Sequence, residues 1–175
     1  MRLYIPAIVI LSVAGAVSAC SGTPKTFNQT SPISDTQSYI GYGAAGRDLK
    51  VVVIGSPFGQ PADEVLATEM DAAKVGPSAH LTTHPNSSAM EGFRIVLSFN
   101  GKDAEQTLCT AATPSATPSP SGAINLQAAL CDKDKLITAV EGKLTGATQA
   151  NDPAVAELMK ETAVQLFPAQ ANWKS

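Results

Sequence analysis

The chain has 175 residues, a formal net charge of −3 and a mean hydropathy of +0.06. Only 15% of its residues are charged, and neither sign gathers into a run, so the sequence makes no electrostatic case for nucleic acid or anionic lipid as a partner. At 44% hydrophobic and 5% aromatic, it has the makings of one ordinary globular domain whose core is mainly Val, Ile, Leu and Ala.

The chain opens with Arg2, an apolar run over residues 5–17, and the small residues Val17-Ser18-Ala19 leading directly to Cys20. The run is shorter than the ~20 residues that span a bilayer, and it contains Pro6, so it reads as an export signal rather than a membrane helix. This segment resembles a bacterial lipoprotein signal with its lipobox, with Val17 standing where leucine is usual. The resemblance implies cleavage after Ala19, a diacylglycerol on the Cys20 sulfur and an acylated Cys20 amine. Two or three acyl chains anchor stably, where one alone binds with K of only about 10⁴ M⁻¹. An ordinary secretory signal cut at the same bond is the alternative. Ser21, where a retention-type Asp would sit, implies by analogy with enteric bacteria a protein of the outer membrane facing the periplasm.

Residues 20–46 are rich in Ser, Thr, Gly, Gln and Pro without a sustained period, and are expected to form a lipidated flexible tether with an end-to-end distance on the order of 30 Å. Tyr39, Ile40 and Tyr42 are the residues of this stretch able to dock onto the domain that follows. That domain is expected over residues 47–175. Its first strand is RDLKVVVI (47–54), ended by Gly55. A helix over 61–74 follows from Ala62, Val65, Leu66, Met70 and Ala73 at helical spacing, with Pro61 and the acids Asp63 and Glu64 suiting its first turn. Residues 75–91 read as a polar connection with a short extended piece near 81–83.

Residues 93–99 alternate cleanly, with Phe93, Ile95, Leu97 and Phe99 on one side of a strand. Residues 110–122, containing ATPSATPSPSG, form a low-complexity loop. Ile124, Leu126, Ala128 and Leu130 then alternate to Cys131, the run 132–135 makes a turn, and residues 136–144 return as a fourth strand in a hairpin. Asp152 as N-cap and Pro153 in the first turn start a last helix, with Val155, Leu158, Met159, Thr162, Leu166 and Phe167 as its inward stripe and Pro168 as its stop.

The order β-α-β-β-β-α predicts an α+β fold, a two-layer sandwich of a four-stranded, mostly antiparallel sheet with both helices on one face. In architecture it resembles the small domains of envelope lipoproteins such as the lipopolysaccharide-transport accessory lipoprotein. It also resembles small uncharacterised proteobacterial lipoproteins that carry a strand, a Pro-Phe turn (here Ser56-Pro57-Phe58-Gly59) and a late two-cysteine hairpin. With Cys20 reserved for lipid, Cys109 and Cys131 remain. In an exported chain they are expected to pair as a disulfide, the alternative being two buried thiols.

Candidate chemistry is sparse. Gly55-Ser56-Pro57-Phe58-Gly59 lacks the spacing and the Lys of a phosphate loop, and it is not the G-x-S-x-G elbow that would activate Ser56. His80 and His84 lie among Pro77, Pro85 and a Thr pair, without a third ligand, so no metal site is expected. Asp132 and Asp134 alternate with Lys133 and Lys135 as a solvated turn rather than a calcium loop. The sheet face away from the helices would carry Arg94, Val96, Ser98, Asn125 and Gln127, either an ordinary wet face or a surface for a partner. The expectation is therefore a non-enzymatic, lipid-anchored cell-envelope protein without cofactor, acting through contacts with another envelope protein in outer-membrane assembly or maintenance. The alternative is a periplasmic module that binds a small molecule or lipid.

Overall fold

Phe93, Ile95, Leu97 and Phe99 do lie on one side of their strand, each 2% exposed or less, and the sheet is built outward from them. The computed structural model describes residues 22–30, 36–58, 62–73, 78–101, 107–110 and 122–167. In chain order these form β1 (Lys25–Thr30), α1 (Thr36–Ala44), β2 (Asp48–Ile54), α2 (Ala62–Asp71), β3 (His80–Thr82), β4 (Phe93–Phe99), β5 (Ala123–Asp132), β6 (Lys135–Thr145) and α3 (Pro153–Leu166). The sheet has the order β1-β6-β5-β4-β2-β3.

This corrects the expected four-stranded, mostly antiparallel sheet with two helices. The sheet has six strands and is mixed, and three helices accompany it. β4, β5, β6 and β1 are antiparallel neighbours, whereas β2 runs parallel to both β4 and β3. Two strands add themselves at the edges. β3 is the short extended piece expected near residue 81, and it pairs Asp48–Lys50 with His80–Thr82. β1 comes from the stretch read as a tether, pairing Lys25 with Lys143 and Thr30 with Ala139 across a register irregularity.

α1 also lies within that stretch. Ile40 and Ala44 are 3% and 0% exposed in the main core, while Tyr42 stays 69% exposed. The Tyr39 hydroxyl donates to Asp132 Oδ2 at 2.9 Å, and Lys135 Nζ sits 4.9 Å above the Tyr39 ring. Residues 36–44 are thus a docked helix, because a buried pair and a polar clasp on the β5–β6 turn hold it. The outer-lying Tyr42 takes no part in that hold.

One core cluster joins α1, α2 and α3 to the same face of the sheet, through Leu66 and Met70 of α2 and Val155, Leu158 and Leu166 of α3 against Leu49, Leu97, Leu126 and Leu144. The α3 cap is as expected: Asp152 Oδ1 accepts from Ala154 N at 2.9 Å, ahead of Pro153. At its other end, the buried Thr138 hydroxyl donates to Leu166 O at 2.9 Å, satisfying a carbonyl that the helix leaves open. Thr138 reaches it beside an extra residue in β6, where Leu130 pairs with Thr138 and Cys131 with Leu136. Gly142 lets α3 lie close to β6, since a Cβ there would meet Leu158 Cδ1 at 2.7 Å.

Candidate functional site

Strand parity sends Val96, Ala129, Cys131 and Ala139 to the face opposite the helices. There they form a second buried cluster with Leu108, Cys109 and Leu136, and with Ile54 packed at its margin. Residues 107–110 supply the cover. The Cys109–Cys131 disulfide pins them, with an S–S distance of 2.01 Å and Cα atoms 5.6 Å apart. Arg94 holds the same segment from the side: its Nη2 donates to Cys109 O at 2.8 Å, and its Nη1 donates to Gly92 O at 3.1 Å and Lys133 O at 3.0 Å. One guanidinium therefore ties the strap at residues 107–110 to the β5–β6 turn.

This changes the face expected to be open to a partner. Arg94 is engaged by three carbonyls, and Val96 and Ser98 are 2% and 0% exposed. The reason is physical: an apolar row of Val96, Ala129 and Ala139 is too greasy for a wet face, and the disulfide straps Leu108 across it. Asn125 is exposed, while Arg94 and Gln127 are half-buried, so of the expected face Asn125 is the residue most open to solvent. The parity of Cys131 was the available signal, because it alternates away from Leu130 and so places its disulfide partner on the outer face. Cys20 lies outside the described residues, as do Gly59 and most of the low-complexity loop.

Both histidines come to the β3 edge, each against a carboxylate of α2. His80 Nδ1 is 3.2 Å from Asp71 Oδ2, whose other oxygen accepts from Leu81 N at 2.9 Å. His84 Nδ1 is 2.8 Å from Thr83 Oγ1 and 3.4 Å from Glu64 Oε2, and the Thr83 hydroxyl donates to the same Glu64 oxygen. That hydrogen bond from Thr83, with a smaller contribution from His84, holds the Glu64 carboxyl below its ordinary range against an opposing desolvation effect. Hydroxyl and carboxylate thus meet the same ring nitrogen. A nucleophile needs the base on one nitrogen and the orienting acid on the other, so the trio is built as a clasp between α2 and the residues after β3. Among the described residues no group of three or more His, Cys, Asp and Glu is placed to hold a metal ion.

Among the described residues, open grooves flank α3 and α2. One runs between β1 and α3 and is lined by Lys25, Glu157, Lys160 and Glu161, with Val164 exposed beside them. Thr26 bridges its floor, donating to Glu161 Oε2 at 3.2 Å and accepting from Gln165 Nε2. The other lies between Phe58, Ala62 and Val65 and the loop at residues 148–151. The first offers charge of both signs to a partner's side chains, and the second, uncharged, offers apolar contact and the hydrogen bonds of Thr148, Gln149 and Asn151. No helix in the described residues is long and apolar enough to cross a membrane.

No family model matches the chain, and no curated protein does. Among solved structures it is similar to the PelC dodecamer from Paraburkholderia phytofirmans, at 14% identity and a TM-score of 0.42 over 85% of this chain and 100% of that one. A point variant of the same dodecamer gives 15% identity and a TM-score of 0.43 over the same shares.

Proposed function

We propose that this chain is a lipid-anchored protein of the bacterial cell envelope, held in the outer membrane by acyl chains on Cys20, facing the periplasm, and working through contacts with another envelope protein rather than by catalysis. The observation that supports the compartment is the Cys109–Cys131 disulfide, which is at home in an oxidising space. It leaves Cys20, directly behind a lipobox-like Val17-Ser18-Ala19, as the one cysteine available for lipid. The reading without catalysis draws on the trio at His84, where hydroxyl and carboxylate meet the same ring nitrogen, Nδ1, instead of opposite ones.

The contact surface in this reading is the α3 flank of the charged groove, Glu157, Lys160 and Glu161 with the exposed Val164 beside them. Mass analysis of the membrane-fraction protein, paired with in-cell crosslinking of the wild-type and Cys20→Ala forms, tests it. The expected result is acylated Cys20 and a specific envelope protein captured by the wild type and lost or reduced in the variant. An unacylated chain overturns the anchor, and an acylated chain that captures no specific protein in either form overturns the contact function.

A further inference from the structure

We infer that the anchored domain lies directly on the membrane, with the end of the sheet formed by the start of β1 and the close of β6 seated in the lipid headgroups. The inference rests on the acylation of Cys20 proposed above. The decisive contact is Gly22 N donating to Thr145 O at 2.8 Å, just ahead of β1. The approach is close: a Cβ on Gly22 would stand 2.6 Å from Thr145 Oγ1 and 3.2 Å from Thr145 O, so the threonine hydroxyl would have to turn aside. Gly22 is thereby part of the folded sheet edge, and it follows Cys20 by only two residues. Two residues of extended chain reach ~7 Å, whereas a free coil over residues 20–46 would have reached about 30 Å. The headgroup layer is itself roughly 5–8 Å deep on each side of a bilayer. An acylated Cys20 therefore leaves the Thr145 end no room to stand away from the surface.

The topology says which residues share that end. β1 begins there and β6 ends there, with Lys25 opposite Lys143; Gly146 N donates to Gly122 O at 3.2 Å where β5 starts; and the loop at residues 148–151 continues the same edge. The two exposed lysines, far apart in sequence, are brought side by side by register. Both stand at the end nearest Gly22, where the phosphates of a headgroup layer carry charge of the opposite sign. Glu141 lies one step farther from the edge, level with Phe27 and Gln127. The β5–β6 turn at Asp132–Lys135 is the far end, about 33 Å away along the eleven residues of β6.

Full-length protein matured in cells and purified with its anchor tests this in vesicles of phosphatidylethanolamine and phosphatidylglycerol carrying a nitroxide on the headgroup. A fluorophore is placed on Thr148→Cys at the near end or Asp134→Cys at the far end, both exposed positions. The expected result is strong quenching at residue 148 and little at residue 134, with the difference abolished by a Gly-Ser insert of ~20 residues between Ser21 and Gly22. The pair Lys25→Gln with Lys143→Gln is expected to weaken quenching at residue 148, and an unchanged signal overturns the part given to the lysines. Equal quenching at both ends in a protein whose Cys20 mass shows acylation overturns the seating alone. A protein with no acyl mass on Cys20 overturns the anchor and this inference with it.

Discussion

Arg94 ties the outer face together through three hydrogen bonds that all end on main-chain carbonyls: Gly92, Cys109 and Lys133. Truncation leaves those carbonyls short of a charged donor, and a hydrogen bond to a charged group contributes about 1.5–3 kcal/mol. Arg94→Ala is expected to cost roughly 2 kcal/mol in urea unfolding. Arg94→Lys should recover less than half of it, since one ammonium cannot span the fork. Gly43 sets a second single-residue constraint. A Cβ there would lie 2.5 Å from the Phe93 ring, which is 2% exposed in the core. Alanine improves helix propensity by about 1 kcal/mol, yet overpacking a closed core costs about 1–3 kcal/mol. The clash wins because the ring has nowhere to turn. Gly43→Ala should therefore lower the thermal midpoint, and a midpoint at or above wild type would show that α1 rides away from Phe93 freely.

The strap at residues 107–110 is an element held from one side by a covalent bond and from the other by a guanidinium. With a sequence separation of 22, the disulfide is expected to stabilise the fold by about 3 kcal/mol in the chain-entropy account. Cys109→Ser with Cys131→Ser should lose most of that, and it should expose the Val96, Ala129 and Leu136 cluster to a hydrophobic dye while the α-face core stays closed. The clasp of α2 onto the residues after β3 gives a pH dependence of known sign. Glu64 has a lowered folded-state pKa, so its contribution is present above the unfolded carboxylate value near 4.3 and is lost as pH falls through the lower, folded value. Exposure keeps it well under 1 kcal/mol. Between about pH 5 and pH 3 the wild type should lose more stability than Glu64→Gln, by urea midpoints read at each pH. The elements differ in how plainly their residues announce them. α3 is written out by Asp152-Pro153 and a complete inward stripe, and β4 and β5 by strict alternation. α1 is not: TQSYIGYGA holds two glycines, each a poor helix former by about 1 kcal/mol, and becomes helical through the burial of Ile40 and Ala44. β1 reads as polar chain, because KTFNQT takes its strand identity from the open edge of β6 rather than from its own pattern. Of the expected contact face, the strand parity was readable but the cover was not, since Leu108 reaches it from across a loop.

For the molecule as a whole, the stretch ahead of residue 47 decides whether the domain begins at Arg47 behind a free leash or includes the residues before it. A leash can be cut without touching the fold. Here the cut would remove the antiparallel partner of β6 from Lys143 to Ala139, together with Ile40 and Ala44 from the main core. Burying a side chain the size of Ile40 alone is worth about 1.5–3 kcal/mol, and the loss of α1 also uncovers the Phe93 ring packed on Gly43. β6 would then present an unpaired edge over much of its length, a ready template for pairing with another chain. A chain that starts at Arg47 is therefore expected to be several kcal/mol less stable by chemical unfolding, and to associate in light scattering at concentrations where the chain from Cys20 onward does not. Equal stability and the same association state for the two forms would mean that β1 and α1 contribute nothing to the fold. The opposite result would show that β1 and α1 are structure, so that the stretch ahead of Arg47 is part of the fold and its reach is set by that packing and not by the length of the chain.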